Sequence, residues 1–288
     1  MNSSHSKVIL ITGCSSGFGL LAAARLASKG HAVYATMRDL NKQGALINEL
    51  KERNAQAKIL PLDVCDPVSI GQVVKEIGAD HGHIDVVINN AGYAIGGYFE
   101  DLTQEEIRSL METNFFGVQN VTRAVIPLMR PKASGTIINI SSISGRYGAP
   151  AFGAYNASKW ALEGFSESLY YELRPFGIRV VLIEPGAYKT KIFGENQRLA
   201  KNFNNEGSPY FKRSHFLKAL IDEHLKDNYR DPEDIAALIE QIIGKKDPAL
   251  RYIPEIESRL QITLREILPF KLYSWIYQRM LFKGFKDH

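Results

Sequence analysis

The stretch "AFGAYNASKWALEGF" sets a phenol, Tyr155, and an ammonium, Lys159, four positions apart at the start of a helix-like run. That spacing places them one turn apart on one face, beside Ala157, Trp160 and Leu162. Two polar tips on an otherwise apolar segment either reach out to solvent or meet a ligand. A second chemical signal lies near the start of the chain, where "KVILIT" runs into "TGCSSGFG". Gly13, Gly17 and Gly19 let the backbone turn tightly and approach a pyrophosphate, which the free amides and dipole of a helix N-terminus favour. A plain strand-to-helix turn would use similar glycines, and the spacing is not G-x-G-x-x-G. Its place after the first strand is what favours a phosphate site. Thr36, Met37 and Arg38 end the second strand, where a chain that binds NAD sets an acid for the ribose 2′-hydroxyl. A guanidinium there suits a 2′-phosphate, so NADP(H) is the preferred cofactor. Asp39 follows at once and, in a shifted register, would serve NAD(H), which stays possible.

These residues need a scaffold, and the pattern of the chain supplies one. Short aliphatic runs alternate with amphipathic stretches: "KVILIT", "HAVYATM", "AKILPLDV", "IDVVINN", "GTIINISS" and "GIRVVLIEPG", each followed by helix-like sequence or by a functional loop. Repeated βα units of this kind predict an α/β fold, a doubly wound parallel sheet of about seven strands with helices on both faces. The strands are continuous apolar runs, as sheets covered on both faces require. The helix that opens "TQEE" carries Thr103 as cap with Glu106 reaching back, and Pro127 marks its far end. The chain of 288 residues reads as one domain over 1–288. An irregular segment over 187–228 reads as a substrate loop or lid, and 255–288 as a C-terminal extension.

In the order and spacing of its motifs from Lys7 to about Thr190, the sequence resembles the classical short-chain dehydrogenase/reductase family, with its hydroxysteroid and retinol dehydrogenase branch nearest. The family's cofactor turn matches Thr12 to Gly19, which includes Ser15, Ser16 and Phe18. Its adenine-side pair matches Asp63 and Val64, and its "NNAG" matches Asn89, Asn90, Ala91 and Gly92. Its "PGxxxT" falls on Pro185, Gly186 and Thr190, beside the nicotinamide. The resemblance implies four catalytic residues: Asn114 in "ETNFFG", Ser142 in "NISSISG", and Tyr155 and Lys159 in "YNASK". Tyr155 would pass a proton to or from the substrate oxygen, and Ser142 would donate a hydrogen bond to it. A phenol with a pKa of about 10 is a poor acid-base group at neutral pH. Lys159 would lower it and hold the nicotinamide ribose, so that Tyr155 and Lys159 also touch the cofactor. Asn114 would support the surroundings of Lys159. Singly, Ser142 reads as a turn residue and Asn114 as an ordinary helix polar group; only the set in register carries the chemistry.

The expected function is the interconversion of a hydrophobic alcohol and its carbonyl, steroid- or retinoid-like, by an NADP(H)-dependent oxidoreductase. The alternative is a cofactor-sensing regulatory protein. Cys14 and Cys65 are few enough for free thiols in a reducing compartment, and the N-terminal aliphatic run is too short for a leader, so the cytoplasm is expected. A net charge of +4 without long basic runs gives no reason to expect nucleic acid. His81 and His83 lack further ligands nearby, so no metal is expected. The two long helices predict a homodimer or homotetramer by the family's habit. The aromatic and basic C-terminal run reads as a helix packed on the body, with membrane-surface contact as the lesser reading.

Overall fold

The computed structural model describes residues 6–190, 198–228 and 230–285. Its centre is a seven-stranded, wholly parallel sheet in the order β3-β2-β1-β4-β6-β7-β9. The strands are β1 (Val8–Ile11), β2 (Ala32–Met37), β3 (Lys58–Pro61), β4 (Val86–Asn89), β6 (Gly135–Ile140), β7 (Ile178–Ile183) and β9 (Arg251–Tyr252). Two further short strands, β5 (Ile95–Gly96) and β8 (Arg198–Leu199), pair with each other beside the main sheet.

The period of two along each strand serves both faces at once. Ile9 and Ile11 of β1 join a core with α1 (Gly17–Ser28), α2 (Gly44–Glu52) and α8 (Glu233–Ile243), whereas Val8 and Leu10 join the opposite core with α3 (Pro67–His81), α5 (Gly117–Met129) and α6 (Gly153–Leu173). Each buried Ile, Val or Leu contributes roughly 1.5–3 kcal/mol. Arg25 of α1 and Arg53 beside α2 both bind Glu233, which ties the helices of the first layer together.

Strand order runs outward in opposite directions from β1 and β4. That switch point opens a crevice at the carboxyl ends of the strands, the place where open α/β sheets bind ligands. The helix predicted from Thr103 begins with a reciprocal cap: Thr103 Oγ1 accepts from Glu106 N, and Glu106 Oε2 accepts from Thr103 N. It then runs as α4 (Gln104–Met111), a π-turn over Glu112–Phe116 and α5, continuing past Pro127 to Met129. The segment 187–228 differs from its irregular reading: it contains β8 and an 18-residue helix, α7 (Phe211–Asn228). Residues 191–197 of that segment lie outside the described residues. The mixed faces of "FKRSHFLKALIDEHLKDN" hid the helical period. Two helices end the chain, α9 (Ile256–Ile267) and α10 (Phe270–Leu281), broken at Pro269. No helix among the described residues is long and apolar enough to cross a membrane.

Candidate active site

The turn after β1 is built around two glycines in the left-handed region, Gly13 at φ +73° and Gly17 at φ +59°. A side chain on Gly13 would also strike the Ala91 Cα at 2.8 Å, and one on Gly19 would strike the Asn90 amide. Gly13 is therefore demanded twice, by backbone conformation and by the close approach of the loop after β4, Gly17 by conformation and Gly19 by the close approach. Thr12 and Asn90 fasten that approach. Thr12 Oγ1 accepts from Asn90 N and Ala91 N, each at 3.0 Å, while Asn90 Nδ2 donates to the Thr12 and Gly13 carbonyls at 2.9 and 3.0 Å.

From this crevice one cleft of about 550 Å³ extends along the carboxyl edge. It brings together Gly13, Ser15, Ser16, Gly17 and Phe18 with Arg38, Asp63, Val64, Asn90, Ala91 and Gly92, and with Ser142, Tyr155, Lys159, Pro185, Gly186 and Thr190. Gly19 and Asn114 do not line it. Gly19 stands behind Asn90, and Asn114 behind Gly92, where its Oδ1 would lie 3.1 Å from a Cβ. Sequence reasoning missed Met37, Lys42, Tyr93, Ser109, Tyr188 and Arg198 on the cleft wall. Lys42 left a trace, a second cation four residues after Arg38. Arg198 left none, since it reaches the site from β8 and stacks its guanidinium 3.9 Å from the Tyr93 ring centroid.

At the first end of the cleft, the sequence left Arg38 and Asp39 as rivals. Asp39 accepts from Asn41 N at 3.0 Å and caps a short 3₁₀ turn, so its carboxylate is engaged locally, whereas Arg38 and Lys42 face the cleft. The paired cations and the glycine cradle fit a nicotinamide dinucleotide, and the cations fit one carrying a 2′-phosphate.

At the other end, Tyr155 is buried, and burial pushes its phenol up to about 12, with the neighbouring Ser142 hydroxyl pulling the other way. Ser142 Oγ accepts from Ser144 N at 3.1 Å and makes a long 3.4 Å bond to the Pro185 carbonyl. Burial depresses the Lys159 ammonium to about 8, opposed in part by the charge of Glu163. Lys159 is not among the groups that move the Tyr155 phenol in this structure, on which burial acts most. Lys159 Nζ donates to the Ile140 carbonyl at 2.9 Å, so its charge is turned onto the sheet edge and burial governs the phenol. Asn114 sits in the π-turn, with Nδ2 donating to Tyr93 O and Ser158 Oγ and Oδ1 accepting from Tyr93 N. It holds the loop after β4 against α6 and has no hydrogen bond to Lys159.

A buried ionic layer lies beneath these groups. Glu184, fully buried just before Pro185, meets Arg146 at 3.2 Å and Arg251 at 3.4 Å, and Arg251 also meets Glu163 one turn after Lys159. Burial, together with the charge of Glu163, pushes the Glu184 carboxyl up to about 7. Arg146 reaches on to Glu266 of α9. Glu255 accepts from Gly186 N at 3.0 Å. The region after residue 250 thus braces both the serine loop and the Pro185–Gly186 loop.

Comparison with known proteins adds to this geometry. The model of the short chain dehydrogenase family matches residues 7–200. A 3-ketodihydrosphingosine reductase of Bacteroides thetaiotaomicron is 41% identical over 246 residues, covering 85% of this chain and 86% of that protein. Human retinol dehydrogenase 8 is 34% identical over 285 residues, covering 96% and 91%. Among solved structures, a short-chain dehydrogenase from Streptomyces avermitilis superposes with a TM-score of 0.79 at 33% identity, covering 98% of this chain and 97% of its own. A metagenomic short-chain oxidoreductase in complex with NADP gives a TM-score of 0.68 at 27% identity, covering 88% and 100%. The names of these relatives leave the cofactor-sensing reading without support.

Proposed function

The chain belongs to the short-chain dehydrogenase/reductase family, an oxidoreductase of alcohol and carbonyl groups with a nicotinamide cofactor, and from that premise we propose that it interconverts a hydrophobic alcohol and its ketone or aldehyde with NADP(H). The observation that carries this reading is the single cleft in which Arg38 and Lys42, the Gly13 turn, and Ser142, Tyr155 and Lys159 follow one another. Bound there, the nicotinamide supplies the acceptor or donor of hydride. Tyr155 gives its phenolic proton to the carbonyl oxygen in reduction and takes it back in oxidation. While accepting from Ser144 N, Ser142 donates only a long bond to Pro185 O, so its proton is free to turn toward the substrate oxygen. Lys159 keeps donors beyond its bond to Ile140 O for the ribose hydroxyls. Asn114 acts as a positioning residue between Tyr93 and Ser158.

An apolar substrate is supported by what surrounds Tyr155. Its ring belongs to a cluster with Ile95, Leu110, Ala200 and Phe203, against which Phe152 and Leu199 pack. Three of these residues, Leu199, Ala200 and Phe203, come from the 187–228 segment, in keeping with a lid. The names of the sphingoid and retinol relatives point the same way. The test is a panel of long-chain ketones, retinoids, steroids and small polar carbonyls, each followed by absorbance with NADPH and with NADH. Turnover of the apolar members with NADPH is expected. Turnover confined to small polar carbonyls, or to NADH, overturns the substrate or the cofactor half respectively.

A further inference from the structure

The two C-terminal helices are amphipathic in an unusual sense, because each has a packed inner face and an apolar outer face. In α9, Ser258 and Ile262 are buried, and Ile256, Leu260, Leu264 and Ile267, at spacings of four, four and three, form one stripe that faces away from the body. Ile256 and Ile267 are 76% and 72% exposed. In α10, Tyr273 and Tyr277 point inward, with Tyr277 edge-on to Tyr147 in the serine loop, while Leu272, Trp275, Ile276 and Met280 stay outside. Of the large apolar side chains exposed among the described residues, most lie on these two helices. Scattered exposed apolars need no explanation, but a run this dense marks a contact surface.

Charge identifies the kind of surface it meets. The two acids of α9 are exposed but already paired, Glu257 with Arg230 and Glu266 with Arg146. From Leu268 to Phe285 the sequence has Lys271, Arg279 and Lys283 and no acid. None of these three has a carboxylate partner among the described residues, and Arg279 instead lies 5.0 Å over the Trp275 ring. A second copy placed on this face about a two-fold axis would set the cationic helix against itself. An anionic bilayer complements it: apolar side chains enter the acyl boundary, Trp275 sits at the headgroup level, and the cations meet lipid phosphates.

We propose that the outer faces of α9 and α10 dock the enzyme on the surface of a membrane containing anionic lipid, without spanning it. The inner face of α10 lines a separate cleft of about 310 Å³ with Tyr98 and Pro150, so the docked helix also roofs the body of the protein. The docking rests on the outer faces alone and stands whatever the substrate proves to be.

The experiment is flotation of the full-length protein with vesicles of phosphatidylcholine alone and with one-quarter phosphatidylglycerol, at low and high salt. Binding to the anionic vesicles, weakened by salt and by leaving out the anionic lipid, is expected. The double variant Trp275→Asp/Met280→Asp and the charge variant Lys271→Glu/Arg279→Glu should each lower vesicle affinity at least about ten-fold, while NADPH binding and melting temperature hold. Both sets of side chains are exposed, and if the first variant failed to fold the second would carry the test. Wild-type protein that stays with neither vesicle overturns the proposal, as does unchanged binding in a folded variant. A dimer that these substitutions dissociate, without vesicle binding, would assign the face to a second copy and overturn it equally.

Discussion

Lys159 Nζ lies 5.8 Å from the centroid of the Tyr155 ring and spends its hydrogen bond on the Ile140 carbonyl. In the proposed reaction the pair would act as two neighbouring devices, a proton carrier and a buried cation with donors to spare. The assignment of proton transfer to Tyr155 predicts that Tyr155→Phe loses turnover by roughly a hundred- to ten-thousand-fold. Cofactor affinity, read by fluorescence titration, should stay near wild type. Substantial remaining activity would remove Tyr155 from the proton step.

The depressed ammonium makes a second, thermodynamic prediction. The folded pKa of Lys159 is about 8, below its ordinary 10.5. Below pH 8 both folded and unfolded chains hold the proton, and the full penalty of the buried charge is present. Between about 8 and 10.5 the unfolded chain binds more protons, so this residue's contribution to stability rises with pH. Lys159→Met should therefore be more stable than wild type at pH 7, by up to about 3 kcal/mol less the lost hydrogen bond to Ile140. The difference should shrink toward pH 10. Paired melting curves at the two pH values decide it, and a constant difference would mean that the lysine is not held at a depressed pKa.

Arg38 and Lys42 face the cleft while Asp39 caps its own turn. Arg38→Asp should weaken NADPH and strengthen NADH, each by about ten-fold or more, because a carboxylate repels the 2′-phosphate and accepts from a 2′-hydroxyl. Lys42→Ala should weaken NADPH and leave NADH unchanged. Equal loss of both cofactors in Lys42→Ala would make that lysine a general phosphate contact.

Thr12 carries no chemistry in this reading, yet its hydroxyl closes the crevice. Thr12→Val strands the Asn90 and Ala91 amides, which should cost about 1–3 kcal/mol in denaturant unfolding. Cofactor affinity should fall with it, since the same bonds hold the loop against Gly13. A loss of stability with unchanged affinity would separate the two.

On α6, Trp160 and Tyr171 remain exposed, and the C-terminal aromatics pack elsewhere, Tyr277 near Tyr147 and Phe282 near Phe216. Burial of the α6 surface inside the chain is therefore not what these residues do, and a homodimer through α5 and α6 is the expected use of that face. Light scattering at micromolar concentration should give a dimer or tetramer mass that Trp160→Glu lowers. A monomeric wild type would end this reading.

The βα rhythm and the strand-end motifs were legible in the sequence because each depends on neighbours within about ten residues. Gly13, Asn90, Ser142 and Pro185 follow β1, β4, β6 and β7, neighbours in the sheet, and parallel strands deliver their ends to one edge. What spacing could not show was direction: Tyr155 and Lys159 are one turn apart, but the lysine turns toward Ile140. Nor could it show pairs far apart in the chain. Arg251 meets Glu163 across 88 residues, and Arg198 enters the cleft from β8, so neither leaves a local pattern.

The brace from the end of the chain sets an order in time. Synthesis proceeds from the N-terminus, and every residue that faces the cleft has been made by Arg198. Yet Glu163 and Glu184 await the guanidinium of Arg251, and the Gly186 amide awaits Glu255. Until those residues leave the ribosome, a nascent chain holds Glu163 without its ion-pair partner, Glu184 with Arg146 alone, and an open edge on β7. The site is therefore completed last, after all of its own residues have already been made.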